Sequence, residues 1–277
     1  MTPNDVKIVA DNIDDFIEVP DGINRLRKAV LTLAISGKLV QQDKKEGEAN
    51  DLFAQIQKAQ SNSPKKRQRK INTVLTPSDT PFDIPNTWLW VRLGDLGHTE
   101  TGSTPKQTSK RFSEGVIPFV RPDNIKNLCI SGVRDNITKV DLENGGTLMP
   151  KDSVLMVCIG SIGKVGVADQ DVSFNQQINA IIPSQNHDVD FFYYLIENSK
   201  QYILGKAGIT ATLIISKRDF SEIEFFLPEQ KNEQTRIATI LSDMDSELSI
   251  LEKKLEKAKH VKQGMMQQLL TGKIRLV

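Results

Sequence analysis

Seven apolar side chains near the C-terminal end, Ile237, Leu241, Met244, Leu248, Leu251, Leu255 and Ala258, recur at steps of 4, 3, 4, 3, 4 and 3. Such steps place all seven on one stripe of an α-helix, the a/d seam of a coiled coil. The pattern predicts a helix from about Gln230 to Leu270, roughly 60 Å long at 1.5 Å per residue. A rod of that length cannot cover its own stripe. It packs on other helices of the chain, on a second copy, or on both. Val261, Met265 and Leu269 continue the apolar series, but the step from Ala258 to Val261 breaks the heptad, so the pairing is expected to change there.

The remaining chain has two other textures. Residues 1–75 read as an N-terminal helical segment. Ile23, Leu26, Val30, Leu33 and Ala34 recur at helical spacing between Asp21, a suitable cap, and Ser36-Gly37, a left-handed stop. A second short helix is expected over 50–60, followed by the basic run Lys65, Lys66, Arg67, Arg69, Lys70. Residues 76–85 read as a Pro-marked linker. Residues 86–228 alternate strand-like runs (116–120, 153–159, 179–182) with Gly-, Ser- and Asn-rich turns, and one helix is expected over 191–201. Residues 229–277 carry the long helix. The fold class is α+β: a mixed α/β domain joined to a coiled-coil-like C-terminal helix and a helical N-terminal segment.

Charge excludes a uniformly basic coat. The chain has 36 Lys+Arg against 35 Asp+Glu, and residues 86–228 are slightly acidic, so any basic face is local. Residues 98–139 supply the material for one: Lys106, Lys110, Arg111, Arg121, Lys126, Arg134 and Lys139. Cys129 and Cys158 lie in apolar company, which reads as buried thiols in a reducing compartment rather than a disulfide framework. No apolar run approaches a membrane span, and the acidic first twenty residues do not resemble a signal peptide. The expected location is the cytoplasm.

The sequence offers no complete catalytic constellation. The run 160–166 (GSIGKVG) resembles a phosphate cradle, but Cys158 and Val165 stand where a Walker loop needs Gly and Ser/Thr. Asp123 after Pro122 could begin a nuclease carboxylate cluster, and Glu252 with Lys254 forms a Glu-x-Lys, yet Glu252 falls on a solvated position of the long helix. His98, His187 and His260 lack metal-ligand spacing. No Asn/Asp-Pro-Pro-aromatic tetrapeptide for adenine methylation occurs. No metal site is expected.

Several segments resemble one family, the specificity subunits of type I restriction–modification enzymes. Leu26 to Val40 (LRKAVLTLAISGKLV) is similar to its helical conserved region, and Pro85 to Asp95 (PNTWLWVRLGD) to the entry of a target recognition domain. Gly102 to Pro105, Ile117 to Arg121, Gly160 to Gly163 and Asn175 to Gln177 match internal signposts. Leu227 to Lys231 and Lys262 to Lys273 (KQGMMQQLLTGK) match the closing conserved helix. Family members commonly carry two recognition domains. One is found here and no internal repeat, so the chain resembles a half-length form. The resemblance implies a non-catalytic subunit that reads double-stranded DNA and positions methyltransferase subunits, with or without restriction subunits, on a bipartite site. S-adenosylmethionine would belong to the methyltransferase partner, and ATP and Mg to a nuclease partner, with no cofactor in this chain. A coiled-coil adaptor that binds no DNA, and a nuclease built on Asp123, remain as competing classes.

Side-chain chemistry selects the candidate contacts. Arg can grip guanine, Asn and Gln can grip adenine, and Lys, Ser and Thr can position phosphates. The candidates are Ser103, Thr104, Lys106, Lys110, Arg111, Arg121, Asn124, Ser161, Lys164, Thr210, Thr212 and Lys217. The seven stripe residues are candidates for pairing with a second copy. Asn175 and Gln176 read as loop braces, and Trp88 and Trp90 as core. Replacing Lys110 and Arg111 by Ala is expected to weaken DNA binding and flatten its salt dependence by up to about one unit per lost phosphate contact. An unchanged slope in titrations at several salt concentrations removes both from the interface.

Overall fold

A computed structural model describes residues 22–40, 85, 88–105, 115–126, 128–206 and 213–271. The second helix expected over 50–60, the basic run, residues 76–84 of the linker, and Asp21, Lys106, Lys110, Arg111, Thr210 and Thr212 lie outside them.

The first helix, α1 (Gly22–Ile35), buries Ile23, Leu26, Val30, Leu33 and Ala34. It ends as its sequence predicts. Gly37 takes φ +66°, and Lys38 donates its N–H back to the Leu33 carbonyl at 3.0 Å. Strand β1 (Trp88–Arg92) runs into a short helix, α2 (Leu93–Leu96), and then β2 (Gly97–Thr101). After β3 (Ile117–Val120) come β4 (Cys129–Ile130), β5 (Asn136–Ile137), α3 (Lys139–Glu143) and β6 (Leu148–Met149). Four strands follow: β7 (Val154–Val157), β8 (Val165–Ala168), β9 (Val172–Phe174) and β10 (Ile178–Pro183). The helix expected over 191–201 is two, α4 (Val189–Asn198) and α5 (Lys200–Lys206), broken at Ser199. Helix α6 (Lys217–Glu222) and β11 (Glu224–Pro228) lead into α7 (Lys231–Leu270), 40 residues long.

The architecture is α+β in three layers. A five-stranded sheet in the order β2-β10-β7-β8-β4 forms the middle. Alternate residues of β7 face opposite ways. Val154 and Met156 join the core shared with α1, α4 and α7, whereas Leu155 and Val157 join a second core beneath the four-stranded sheet β5-β3-β9-β6. A strand buried on both faces reads as an unbroken apolar run, which is how Val-Leu-Met-Val reads. The ribbon of β1 and β11 pairs Trp88 with Pro228 and Arg92 with Glu224, and so brings the two ends of this region together. Trp88 is buried, while Trp90 is half-buried against the Phe226 ring at 4.9 Å. Cys158 is buried as expected. Cys129 is not: β4 is an edge strand whose first side chain faces solvent.

The stripe on α7 divides. Ile237, Leu241 and Leu248 are buried and Met244, Leu251 and Leu255 partly buried, all packed into the core formed with α1 and α4. Ala258 is exposed. The expectation that all seven await a second copy is corrected for the first six, because the chain's own helices cover them. An ionic cluster fixes this three-helix contact. The Arg27 guanidinium of α1 donates to Asp245 Oδ2 of α7 at 3.0 Å and lies 3.6 Å from Glu197 of α4, and the Tyr194 hydroxyl donates to the same Asp245 oxygen at 3.2 Å.

The first turn of α7 is tied down by buried polar groups. Gln234 has no solvent exposure. Its amide nitrogen donates to the Pro228 carbonyl at 2.9 Å and lies 3.2 Å from His187 Nδ1, and its oxygen accepts the Asp188 N–H at 2.9 Å. Asp188 caps α4 through the Phe191 N–H and accepts from the Thr235 hydroxyl at 2.8 Å. The Trp88 indole donates to Glu233 at 2.9 Å.

Gln234→Leu leaves the Pro228 carbonyl, the Asp188 N–H and His187 without their partner. Each stranded group costs about 1–3 kcal/mol, so the midpoint of denaturant unfolding should fall sharply with an unchanged slope. Burial holds the His187 imidazole down from 6.5 to about 4, with Lys231 adding repulsion. Between those values the unfolded chain takes up a proton that the folded chain refuses, so this stability is complete above pH 6.5 and is lost as pH falls toward 4. Unfolding free energies measured across that window should decline with acid more steeply for the parent than for His187→Gln, which cannot titrate.

Candidate nucleic-acid interface

Strand register decides which candidate residues meet. Thr101 at the end of β2 pairs with Asn179 at the start of β10, and Ile178 pairs with Val157 at the end of β7. Met156 pairs with Val165 at the start of β8, and Val120 at the end of β3 with Phe174 at the end of β9. All of these ends point the same way. The connections leaving them, residues 102–105, 121–124, 158–164 and 175–177, therefore form one rim of the sheets. Residues 213–217 join it through an antiparallel bridge between Ile159 and Ile214 and through the Ile215 N–H, which donates to the Cys158 carbonyl at 3.0 Å. Of the twelve sequence candidates, Ser103, Thr104, Arg121, Asn124, Ser161, Lys164 and Lys217 are described, and all seven lie on this rim.

Their roles there differ. Ser103 donates to the Gly145 carbonyl and lies 2.9 Å from the Thr147 hydroxyl, and the Thr104 hydroxyl donates to Gln176 Oε1 at 2.7 Å. Asn124 Oδ1 accepts the Arg121 N–H at 2.7 Å and so closes the turn after β3. Arg121 forms an ion pair with Asp135 at 2.9 Å and lies 5.7 Å from the Phe119 ring centre. Lys217 pairs with Glu100 at 2.6 Å. These contacts hold the rim in one shape. Ser161 and Lys164 stand exposed on a turn whose Gly160 and Gly163 take φ +80° and +83°, with Ile162 buried as its anchor. The positive φ angles favour glycine, and the turn they make leaves Ser161 and Lys164 facing outward while Ile162 faces the core.

Asn175 and Gln176, expected from sequence as buried braces, both brace the rim, Gln176 through Thr104, but Asn175 is half-buried and Gln176 exposed. Asn175 accepts the Gln177 N–H at 3.1 Å and donates to Gln177 Oε1 at 3.0 Å, while its own N–H reaches the Val120 carbonyl at 3.1 Å. Gly102 passes so close that a side chain there would stand 2.1 Å from the Asn175 carbonyl oxygen. Asn179 is a structural residue that sequence reasoning missed. Buried between strands, it accepts from Thr101 at 2.7 Å and donates to the Ile215 carbonyl at 3.1 Å. No local pattern marks it, because both partners are distant in sequence. Burial pushes the Cys158 thiol up to about 12, so no thiolate nucleophile forms on the rim. Among the described residues no group of three or more His, Cys, Asp or Glu side chains could hold a metal ion, and no helix is long and apolar enough to cross a membrane.

Comparison with known proteins places this geometry. Residues 85–260 match the profile of the type I restriction modification DNA specificity domain. The chain is 31% identical over 153 residues to the type I restriction enzyme HindI specificity subunit of Haemophilus influenzae, covering 53% of this chain and 33% of that protein. It is 32% identical over 167 residues to the EcoR124I/EcoR124II specificity subunit of Escherichia coli, covering 57% and 41%. The crystal structure of the HsdS subunit from Thermoanaerobacter tengcongensis shares the fold, with a TM-score of 0.53 at 16% identity over 96% of this chain and 56% of that one. The chain thus spans well under half the length of these two sequence relatives and a little over half of the structural neighbour. With the profile matched across more than half of its residues, the chain belongs to the family of type I restriction–modification DNA specificity subunits.

Proposed function

We propose that this chain is the DNA-recognition subunit of a type I restriction–modification complex. Its rim lies against duplex DNA, and its long helix carries methyltransferase subunits, with restriction subunits joining where the system cuts. The observation that carries the reading is the convergence of the described candidate residues on one braced rim, in a chain of this family. A shape held by internal hydrogen bonds and ion pairs before binding loses little conformational entropy on docking, which favours specificity. The chain itself transfers no methyl group and cleaves nothing. S-adenosylmethionine belongs to the methyltransferase partner, and ATP and Mg to the restriction partner.

A second copy completes the proposal. Beyond Leu255 the long helix leaves the core, and a row of Ala258, Val261, Met265 and Leu269 runs along it between Lys254, Lys257 and Lys262. Val261 and Met265 are 53% and 57% exposed. Two copies pairing along this row would present two identical recognition domains about a two-fold axis. They would read an interrupted palindrome with half-sites roughly one helical turn, about 34–36 Å, apart. Substitutions in the stripe at Leu248 would disrupt the chain's own core, so pairing is tested further along the helix.

Coexpression with the methyltransferase subunit and methylome sequencing should reveal a single interrupted palindrome, modified only when both chains are present. Val261→Glu with Met265→Glu should halve the copies of this chain in the complex by light scattering and abolish specific methylation, while circular dichroism stays that of the parent. One copy per complex on a non-palindromic site overturns the pairing. Methyl transfer or DNA cutting by the pure chain overturns the non-catalytic role.

A further inference from the structure

Helix α5 lies beside the rim without belonging to the residues considered so far. A side chain on Gly163 would meet the Lys200 stem at 2.7 Å, so glycine there lets the lysine methylenes lie along the Gly160–Lys164 turn. Residues 200–217 contain Lys200, Lys206 and Lys217 and no carboxylate, and the turn adds Lys164. The bridge between Ile159 and Ile214 brings the stretch before Lys217 to the same turn. Glu100 neutralises Lys217. Lys164 is exposed with no carboxylate oxygen within 4.0 Å among the described residues, and Lys200 is exposed, with Glu197 of α4 within electrostatic reach. The Lys206 ammonium sits 5.2 Å from the centre of the Tyr202 ring, and Tyr202 is 41% exposed.

Resting on the DNA-recognition reading above, we infer that α5 and the Gly160–Lys164 turn form a phosphate-holding ledge beside the rim, on which Lys164, Lys200 and Lys206 grip the sugar–phosphate backbone of the duplex and read no base. A surface of three lysines fits a polyanion. Lysine is a compact point charge that suits phosphate and carries no base code. The Lys200 stem resting on the turn and the Lys206 ammonium held over an aromatic face are partly ordered in advance, which reduces the entropy lost on contact.

The test uses the full chain in complex with its methyltransferase subunit. Binding is titrated at several salt concentrations on a duplex carrying the sequence that methylome sequencing identifies, and on a scrambled duplex. Lys200→Ala with Lys206→Ala should reduce the salt slope by up to about 0.9 for each lost phosphate contact. It should weaken both duplexes by the same factor and leave the methylated sequence unchanged. Lys200→Arg with Lys206→Arg should restore the slope. Three results overturn the ledge: a slope equal to the parent's, an altered methylated sequence, or loss of the methyltransferase subunit at an unchanged slope, which would make the surface a protein dock. Absence of DNA binding by the parent complex overturns the recognition reading itself, and the ledge with it.

Discussion

The structure hangs on one fully buried amide. Gln234, in the first turn of the long helix, joins the end of β11, the residue before α4 and the imidazole of His187. The Trp88 indole on Glu233 and the Thr235 hydroxyl on Asp188 complete the tie, so the helix leaves the sheets in one direction only. Buried polar groups are costly unless every one is satisfied, which makes such a knot strongly directional where apolar packing alone would tolerate rotation. The angle between this helix and the sheets is fixed by that knot. A second tie, Arg27 on Asp245 beside Tyr194, repeats the constraint about three turns further along.

The rim follows a similar rule at smaller scale. Glycine at 102, 160 and 163, and amides at 124, 175 and 179, knit connections that would otherwise be loose. Ion pairs then restrain part of the charge. Arg121 with Asp135 and Lys217 with Glu100 hold their cations in place without neutralising the edge as a whole.

The long helix is used twice. Its first half is core, buried against α1 and α4, while its second half projects with an apolar row flanked by lysines. The break in the heptad after Ala258 coincides with the change of surroundings: six residues of the stripe before it are covered by the chain itself, and Val261, Met265 and Met266 beyond it are exposed.

Much of this was legible in the sequence because it is local. Periodicity marked α1 and α7 to within a residue or two, and the apolar run at 153–159 marked a strand, which the structure then covers on both faces. Gly160 and Gly163 fall in one of the Gly-rich turns between strand-like runs, and both take positive φ there. The resemblance of short motifs pointed to the family. Other features depended on partners far along the chain. Nothing near Cys129 tells that β4 is an edge, and nothing near Leu248 tells that α1 covers it rather than a second copy. Likewise, nothing near Lys200 places it over Gly163. Propensity and pattern act over a few residues and are written in the sequence. Which apolar face meets which, and which charge meets its counter-charge, is settled only when strands and helices hundreds of residues apart compete for the same buried surface.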